Sequence, residues 1–421
     1  MALGSARVAL AHDWLNQAGG AESVLATLQA WFPSAPIYTT IHAPDAVPES
    51  RAWDVRASWM DRLPGIHANH QPYLPIYPLA WSTTRARAAD GGDADLVLSN
   101  KSAFCHGLRT GSAVHVCYCL TPTRFVWEPD AYLAHEQVPG WSRPILRALI
   151  PWLRRWDHAA AQRVDHLVAI SSVVRDRIAR YYGRDSVVIH PPADVAAFTG
   201  QRGAAPEAGA GAEPYHVVLA RLVPYKRIDV AITAFNHLGR RLVVIGDGRD
   251  RARLEALAGP TITFRGRLPQ GAVRHLVARS EGLIWPGVED YGLVPVEAMA
   301  AGRPVIAQRA GGVLDTVVEG QTGMFFDGDD PVALAAAVRA ADAIDWNAGA
   351  ISAHAERFGR APFDRRLAEL LERALADRAE AGGGRGEPGE PGQTGHIGHM
   401  GRMGLIGHVG QPRANRVVAG R

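Results

Sequence analysis

Lysine is nearly absent from this 421-residue chain. Of its 45 basic residues, 43 are arginine, and the two lysines are Lys101 and Lys226. Biased codon usage accounts for the excess of arginine, and it makes the two remaining lysine positions informative. The formal net charge is only +3, which excludes the strong positive field that recruits nucleic acid. We therefore expect no nucleic-acid partner.

Cysteine is also scarce, and long apolar runs are missing. The three cysteines are Cys105, Cys117 and Cys119. Cys117 and Cys119 lie two apart in a predicted strand, where they share a face and are poorly placed for a bridge, so we expect a reduced chain. The first apolar run, after Met1–Arg7, is too short for a signal sequence or a membrane span. Both features predict a cytoplasmic protein.

What the chain does contain is a globular composition with two α/β halves. Hydrophobic residues make up 47% and charged residues 21%, and the length favours two domains. We predict a first Rossmann-like domain over 1–199, a flexible linker over 200–214 and a second Rossmann-like domain over 215–379. The Gly/His-rich segment 380–421 is predicted to be a disordered tail. The last helix is expected either to stay on the second domain or to cross back to the first.

Short apolar runs alternate with helical patterns in both halves, which is typical of doubly wound parallel sheets. The predicted strands of the first half are Val8–Leu10, Asp95–Ser99, Val114–Cys119, Leu167–Ile170 and Val187–His190. Those of the second half are Val217–Leu219, Leu242–Ile245, Ile262–Phe264, Leu283–Trp285 and Val305–Ala307.

The segment Glu289–Glu297 carries the most functional information. It follows an apolar run and reads as strand, loop and helix start, with Pro295 suited to the first helical turn. The free N–H groups at this helix start belong to Gly292, Leu293 and Val294, and they predict an anion site. Carboxylates flank that site. Donors for a phosphate beside acceptors for hydroxyls predict a sugar-nucleotide pocket.

The two flanking carboxylates have different alternative explanations. Glu297 is predicted to lie in the first helical turn, where it either accepts hydrogen bonds from ribose hydroxyls or only complements the helix dipole. Glu289 lies on the loop, so the dipole does not explain it, and we expect it to bind hydroxyls of the transferred sugar.

A basic turn follows the first strand of the second half. Because ligands bind beyond the carboxyl ends of strands in doubly wound folds, Arg221 and Lys226 are placed to neutralise a diphosphate. The alternative is an ordinary solvated basic turn. In the first half, Gly19 and Gly20 follow the first strand and would allow a ligand close to the backbone.

We expect no metal or other cofactor. Two Asp-x-Asp pairs, Asp93/Asp95 and Asp327/Asp329, imitate a metal site, but they flank strands and are better explained as turn residues. Basic groups and helix N–H groups at the phosphates also make a metal unnecessary for neutralising charge.

The segment Arg143–Trp156 is basic and aromatic. Arg143, Arg147 and Arg154 are predicted on one side of a helix, with Leu146, Leu149 and Leu153 on another, and Pro151 is expected to break or bend it. The helix either rests on an anionic membrane or packs on its own domain.

These motifs together resemble glycosyltransferase family 4, a retaining group with the GT-B fold. The resemblance covers about Val8 to Leu370, and the motifs that carry it are Glu289–Glu297, Ala220–Arg227 and Gly19–Glu22. More locally, the chain is similar to GDP-mannose-dependent mannosyltransferases of bacterial polysaccharide synthesis. The segments behind that likeness are His12–Leu15, Thr121–Trp127 and His190–Asp194.

The resemblance implies a role for each site residue. Arg221, Lys226 and the N–H groups of Gly292, Leu293 and Val294 would hold the donor diphosphate, with Gly20 approaching from the first half. Glu297 would take the ribose and Glu289 the transferred sugar. The resemblance also implies a glycan or lipid-linked glycan acceptor and peripheral contact with the inner face of the cytoplasmic membrane.

One position departs from the family pattern. Members often carry a histidine before the Thr-Pro that ends the Val114 strand, where this chain has Leu120. His12, Asp13 and His115 are other polar groups of the first half. The departure keeps one alternative open, a degenerate member that binds without turnover. A second alternative, a sugar-nucleotide epimerase with the same fold, would share the nucleotide pocket.

Overall fold

The computed structural model describes residues 3–130, 143–199 and 214–383. Nearly all of the predicted linker 200–214 and most of the predicted tail 380–421 therefore lie outside the described residues. Within them, seven parallel strands form one sheet in the order β3-β2-β1-β4-β5-β6-β7. The strands are β1 (Val8–His12), β2 (Ile37–Thr39), β3 (Val55–Ala57), β4 (Leu96–Lys101), β5 (Val114–Cys119), β6 (His166–Ala169) and β7 (Val187–Val188).

The second half builds another parallel sheet. Among the described residues it has six strands in the order β10-β9-β8-β11-β12-β13. They are β8 (Tyr215–Leu219), β9 (Arg241–Ile245), β10 (Ile262–Gly266), β11 (Leu283–Trp285), β12 (Val305–Gln308) and β13 (Gly323–Phe326). Two parallel α/β sheets confirm the predicted fold class.

The helices cover both sheets. Those of the first half are α1 (Gly20–Trp31), α2 (Tyr77–Thr83), α3 (Arg124–Trp127), α4 (Arg143–Gln162), α5 (Ser172–Tyr182) and α6 (Val195–Thr199). Those of the second half are α7 (Ile228–Leu238), α8 (Arg251–Leu257), α9 (Gln270–Arg279), α10 (Leu293–Ala300), α11 (Val313–Thr316), α12 (Pro331–Asp342), α13 (Ala348–Ala355) and α14 (Arg360–Gly383). Helices on both faces bury the strands, which explains their nearly continuous apolar sequences.

Three short strands were not predicted. The strands β2, β3 and β13 have only three or four residues each, too few for a periodic pattern to stand out from a loop. Their pairing is decided by the neighbouring strand, since Leu10 lies opposite Ile37 and Val305 opposite Gly323.

Helix α14 belongs to the second half in sequence but packs on the first sheet. Phe363 contacts the ring of Tyr118 edge to face at 5.8 Å between centroids. Arg366 donates to the carbonyl of Val188 (2.7 Å), and Arg378 donates to the carbonyl of Ser112 (2.9 Å). The helix therefore ties the two halves together behind the cleft.

Helix α4 runs through Pro151 without a break, which corrects the first of the two predicted effects, a break or a bend. Pro151 is solvent-exposed, so water can take the carbonyl that the missing N–H leaves without a partner. Leu153 is buried in the core and Arg154 donates to the carbonyl of Val126 at 2.9 Å. Arg154 is therefore part of the packed side of the helix, not of an exposed arginine face with Arg147.

Candidate functional site

A basic turn and an acidic loop of the second half meet because the strands that they follow are neighbours. Strands β8 and β11 pair in parallel, so the turn after β8 and the loop after β11 leave the sheet at the same edge. The Lys226 ammonium, at the end of the first loop, contacts the carboxylate of Glu289 in the second. Two residues 63 positions apart thus form one ion pair.

Lys226 lies in a cationic and partly apolar environment. Its side chain is only 14% exposed, and its ammonium lies 5.4 Å from the ring centroid of Tyr225 and 5.2 Å from that of Trp285. Burial, and after it the guanidinium groups of Arg221 and Arg124, lower the pKa of Lys226 to about 7. The charge of Asp290 acts in the opposite direction and favours the charged ammonium.

Arg221 is a second cation of the site, and it differs from Lys226 in its exposure and in its contacts. The residue is exposed, it lines the cleft between the two halves, and its guanidinium has no ion-pair or hydrogen-bond partner among the residues that the structure describes. Lys226 is therefore neutralised within the protein, whereas Arg221 is available to an incoming anion.

Helix α10 begins where the sequence predicts. Its first residue is Leu293, Gly292 precedes it at φ 93°, and no side chain caps the helix. A left-handed φ favours glycine because a Cβ would clash with the following backbone. The first-turn N–H groups are thus free of a side-chain acceptor, as an anion site requires.

Glu297 lies deeper in helix α10 than predicted. It is the fifth residue of the helix, and the first turn contains no acidic side chain, so complementation of the dipole does not explain it. Burial, and after it the charge of Asp194, raise the pKa of Glu297 to about 7. A half-buried carboxyl that lacks a partner among the described residues is a good candidate for a ligand contact.

The glycine loop of the first half faces helix α10 across the cleft. Gly20 is the first residue of helix α1, which also has no side-chain cap. A Cβ placed on Gly20 would lie 3.4 Å from Cδ1 of Leu293. Gly19 precedes it in extended conformation. Two helix starts, one from each half, therefore meet where the phosphates are predicted.

A second glycine pair supports the acidic loop from behind. Gly312 donates its N–H to the carbonyl of Glu289 at 2.8 Å, and a Cβ on Gly311 (φ 80°) would lie 2.3 Å from the same oxygen. The close approach is to the protein's own loop, so this pair positions Glu289.

Sequence models of two known protein families match this chain. A model described as Glycosyltransferase Family 4 matches residues 18–197, and one described as Glycosyl transferases group 1 matches residues 205–343. The chain belongs to glycosyltransferase family 4. The two matches divide the chain at the same place as the two sheets.

Curated relatives of this family 4 chain include two kinds of enzyme. A GDP-mannose-dependent alpha-(1-6)-phosphatidylinositol monomannoside mannosyltransferase of Mycolicibacterium smegmatis is 32% identical over 48% of this chain and 58% of its own length. A glycogen synthase of Mycobacterium tuberculosis is 30% identical over 48% of this chain and 50% of its own length. The matched part of the chain thus spans little more than half of these relatives.

Solved structures of low identity share the fold over nearly their full length. Anabaena HepE in complex with UDP superposes with a TM-score of 0.62 at 17% identity and covers 87% of this chain and 99% of its own. A sucrose-phosphate synthase from Thermosynechococcus elongatus gives 0.64 at 17% identity over 88% and 99%. These likenesses support the two-domain GT-B architecture.

The polar groups expected in the first half turn out to be structural. The carboxylate of Asp13, which is fully buried, accepts hydrogen bonds of 2.6 to 2.7 Å from four successive N–H groups, those of residues 102–105. His12 contacts the Asn100 carbonyl at 3.1 Å. His115 contacts Ser99 Oγ at 2.9 Å, and burial lowers the pKa of His115 to about 4. These three side chains are therefore not available to a substrate.

Sequence reasoning missed the residues of the first half that do face the cleft. They lie in loops after β1, β4 and β5 and in the segment before α2, and they line a cavity of about 420 Å³ that Arg221 and Tyr225 close from the other side. Those of the first half are Trp14, Gln17, His70, Gln71, Leu74, Ser102, Ala103, Thr121, Arg124, Phe125 and Glu128. The sequence signal that could have identified most of them is their position shortly after the ends of strands. Leu120 is half-buried beside Thr121.

The Asp-x-Asp pairs are held in ion pairs. Asp93 contacts Arg85 at 2.9 Å, Asp95 contacts Arg7 at 3.2 Å and Asp327 contacts Arg309 at 3.2 Å, while Asp329 contacts Arg227. Within residues 3–130, 143–199 and 214–383, no group of three or more His, Cys, Asp or Glu side chains is arranged to hold a metal ion.

The raised pKa of Glu297 predicts a stability cost. Its folded value of about 7 exceeds the ordinary value of 4.5, so folding is opposed increasingly as pH rises from 4.5 to 7 and fully above 7. Glu297→Gln removes that cost. We expect the variant to be more stable than wild type by about 1–3 kcal/mol at pH 8, with little difference at pH 5, in urea unfolding. Glu372→Gln, on the exposed side of α14, should show no such trend. A variant no more stable than wild type at pH 8 would contradict the prediction.

Proposed function

We propose that the protein is a retaining glycosyltransferase that moves a hexose from a nucleoside diphosphate donor to a hydroxyl of a glycan or lipid-linked glycan. The observation that carries the proposal is the convergence of Arg221, Lys226, Glu289 and the start of helix α10 at one sheet edge. Membership of family 4 and the UDP bound in HepE support it. The name of the mannosyltransferase relative favours GDP-mannose as donor.

The ion pair between Lys226 and Glu289 suggests how the donor is received. A diphosphate carries more negative charge than a carboxylate, so it competes for the Lys226 ammonium, and Arg221 already offers a guanidinium with no partner among the described residues. Release of Glu289 from Lys226 then leaves a carboxylate for hydroxyls of the sugar. Glu297 is the acceptor for the ribose hydroxyls, and Gly19 and Gly20 admit the phosphates to the start of helix α1.

The same groups act during transfer. As the bond from the sugar C1 to the diphosphate oxygen breaks and the bond from C1 to the acceptor oxygen forms, negative charge grows on the leaving diphosphate. Arg221, Lys226 and the helix N–H groups lie where that charge develops, which is where preorganised dipoles accelerate a reaction most. The acceptor proton passes to a phosphate oxygen of the donor, so the step needs no protein nucleophile and Leu120 is compatible with it.

The acceptor side is proposed to include the membrane surface. Helix α4 exposes Trp152 (48%) together with Arg147 and Arg155, and an exposed tryptophan among arginines suits an anionic lipid interface. Within residues 3–130, 143–199 and 214–383, no helix is both long and apolar enough to cross a bilayer.

A binding panel tests the donor. GDP-mannose, UDP-glucose, UDP-N-acetylglucosamine and the free nucleotides are added separately, and the thermal unfolding of the protein is followed. We expect GDP-mannose at 100 to 1,000 times its dissociation constant to stabilise by about 3–4 kcal/mol, and Glu297→Gln to weaken that effect. Stabilisation by a UDP-sugar alone would identify that sugar nucleotide, and not GDP-mannose, as the donor. If no ligand stabilises the protein, the proposed function is contradicted.

Removal of Lys226 tests the diphosphate role. We expect Lys226→Ala to lower the transfer rate by about 100-fold or more while the free energy of unfolding falls by only about 1–3 kcal/mol, because Glu289 loses its partner but keeps a side chain that is 24% exposed. The other lysine is the contrast. Lys101→Ala removes a fully buried side chain and its hydrogen bonds to Thr121 and Thr123, and it should cost about 3 kcal/mol of stability. Full activity in Lys226→Ala would show that the lysine does not act on the phosphates.

Vesicle flotation tests the membrane contact. We expect the wild type to float with phosphatidylglycerol vesicles and less with phosphatidylcholine vesicles. The double variant Trp152→Ala/Arg155→Glu should lose most of that binding because it removes an interfacial anchor and reverses one charge. Trp59→Ala changes another exposed tryptophan and should bind as wild type does. Equal flotation of the double variant, or none of the wild type, would overturn this part of the proposal.

A further inference from the structure

Asp290, which follows Glu289 in the acidic loop, is held by two arginines of the other domain. Arg124 of helix α3 places Nη2 2.6 Å from Oδ1 of Asp290, and Nη1 of Arg177, on helix α5, contacts the same oxygen. Arg177 also reaches Glu128 at 3.3 Å. Two guanidinium groups and two carboxylates therefore balance one another across the domain boundary.

The backbone around Asp290 is fixed by the first domain as well. Ser171 donates its hydroxyl to the carbonyl of Asp290 at 2.5 Å, and Ser172 donates its N–H to Asp315 at 2.7 Å. The ring of His190 stacks on Tyr291 at 5.3 Å between centroids. These contacts fix the acidic loop against the first domain. Because Arg124 pairs with Asp290 of that loop, they also fix the position of Arg124 relative to the donor site.

Arg124 lies next to the cations already assigned to the diphosphate. It lines the same cavity as Arg221 and Tyr225, its side chain is 40% exposed, and its charge acts on Lys226. The electrostatic neighbours of Lys226 are thus Arg221, Arg124, Glu289 and Asp290, with the rings of Tyr225 and Trp285 beside it.

From this geometry we infer that Arg124 is a third cation of the diphosphate site, supplied by the first domain, with Asp290 and Arg177 as its positioning residues. The inference rests on the proposed glycosyl transfer. Asp290 keeps a partner in Arg177 when Arg124 turns toward a phosphate, so the exchange leaves no buried charge alone. The leaving diphosphate is then fully neutralised only when the two domains are in contact.

The first test needs no ligand. The chain has two lysines, and Lys101 is fully buried, so reductive methylation with ¹³C-formaldehyde gives an NMR signal for Lys226 that is distinct from the terminal amine and whose pH titration reports its pKa. Arg124→Met should shift that pKa upward, and Asp290→Asn should shift it downward. Arg175→Met, on the same helix as Arg177 but paired with the exposed Asp176, should leave it unchanged. An unchanged titration in Arg124→Met would overturn the inference.

The second test is kinetic and uses the donor identified by the binding panel. We expect Arg124→Met to lower kcat by about 100-fold with a much smaller change in donor KM, and Arg124→Lys to recover part of that loss because a point charge remains. Asp290→Asn should fall between them, and Arg175→Met should match wild type. Donor binding with undiminished kcat in Arg124→Met would overturn the inference alone. If the wild type binds no nucleotide, the proposed function fails, and the role of Arg124 fails with it.

Discussion

The parallel pairing of β8 and β11 is the constraint on which the candidate site depends. Parallel neighbours end at the same edge, so the basic turn after one strand and the acidic loop after the other must meet there. The ion pair between Lys226 and Glu289 is the local consequence. An antiparallel pairing would have sent the two loops to opposite edges, and neither motif would form a site alone.

The two cations of the cleft, Lys226 and Arg221, differ in whether a carboxylate of the protein neutralises them. Lys226 is largely buried and contacts Glu289, whereas Arg221 is exposed with no partner in the described part of the chain. Burial makes the ammonium depend on its carboxylate partner, which favours exchange with a diphosphate over simple addition. Burial, and after it the charge of Asp194, likewise raise the pKa of Glu297, whose carboxyl has no hydrogen-bond donor among the described residues.

Both domains contribute to this arrangement. The starts of helices α1 and α10 approach each other at Gly20 and Leu293. Asp290 forms ion pairs with two arginines of the first domain. Helix α14 returns to the first sheet through Phe363 and Arg366, which limits how the halves can separate. The donor site is therefore an interdomain structure even though its two main motifs lie in the second half.

The sequence alone determined the fold class, most of the strands and the loop motifs, because buried parallel strands, glycine loops and a proline at a helix start leave local patterns. Only the tertiary structure decided three other matters. Glu297 lies beyond the first turn since the helix begins at Leu293. Asp13 and His115 are internal since β4 and the loop that follows it supply their hydrogen-bond partners. Arg124 and Asp290 meet although 166 positions separate them, and no local pattern encodes a contact that two domains make together.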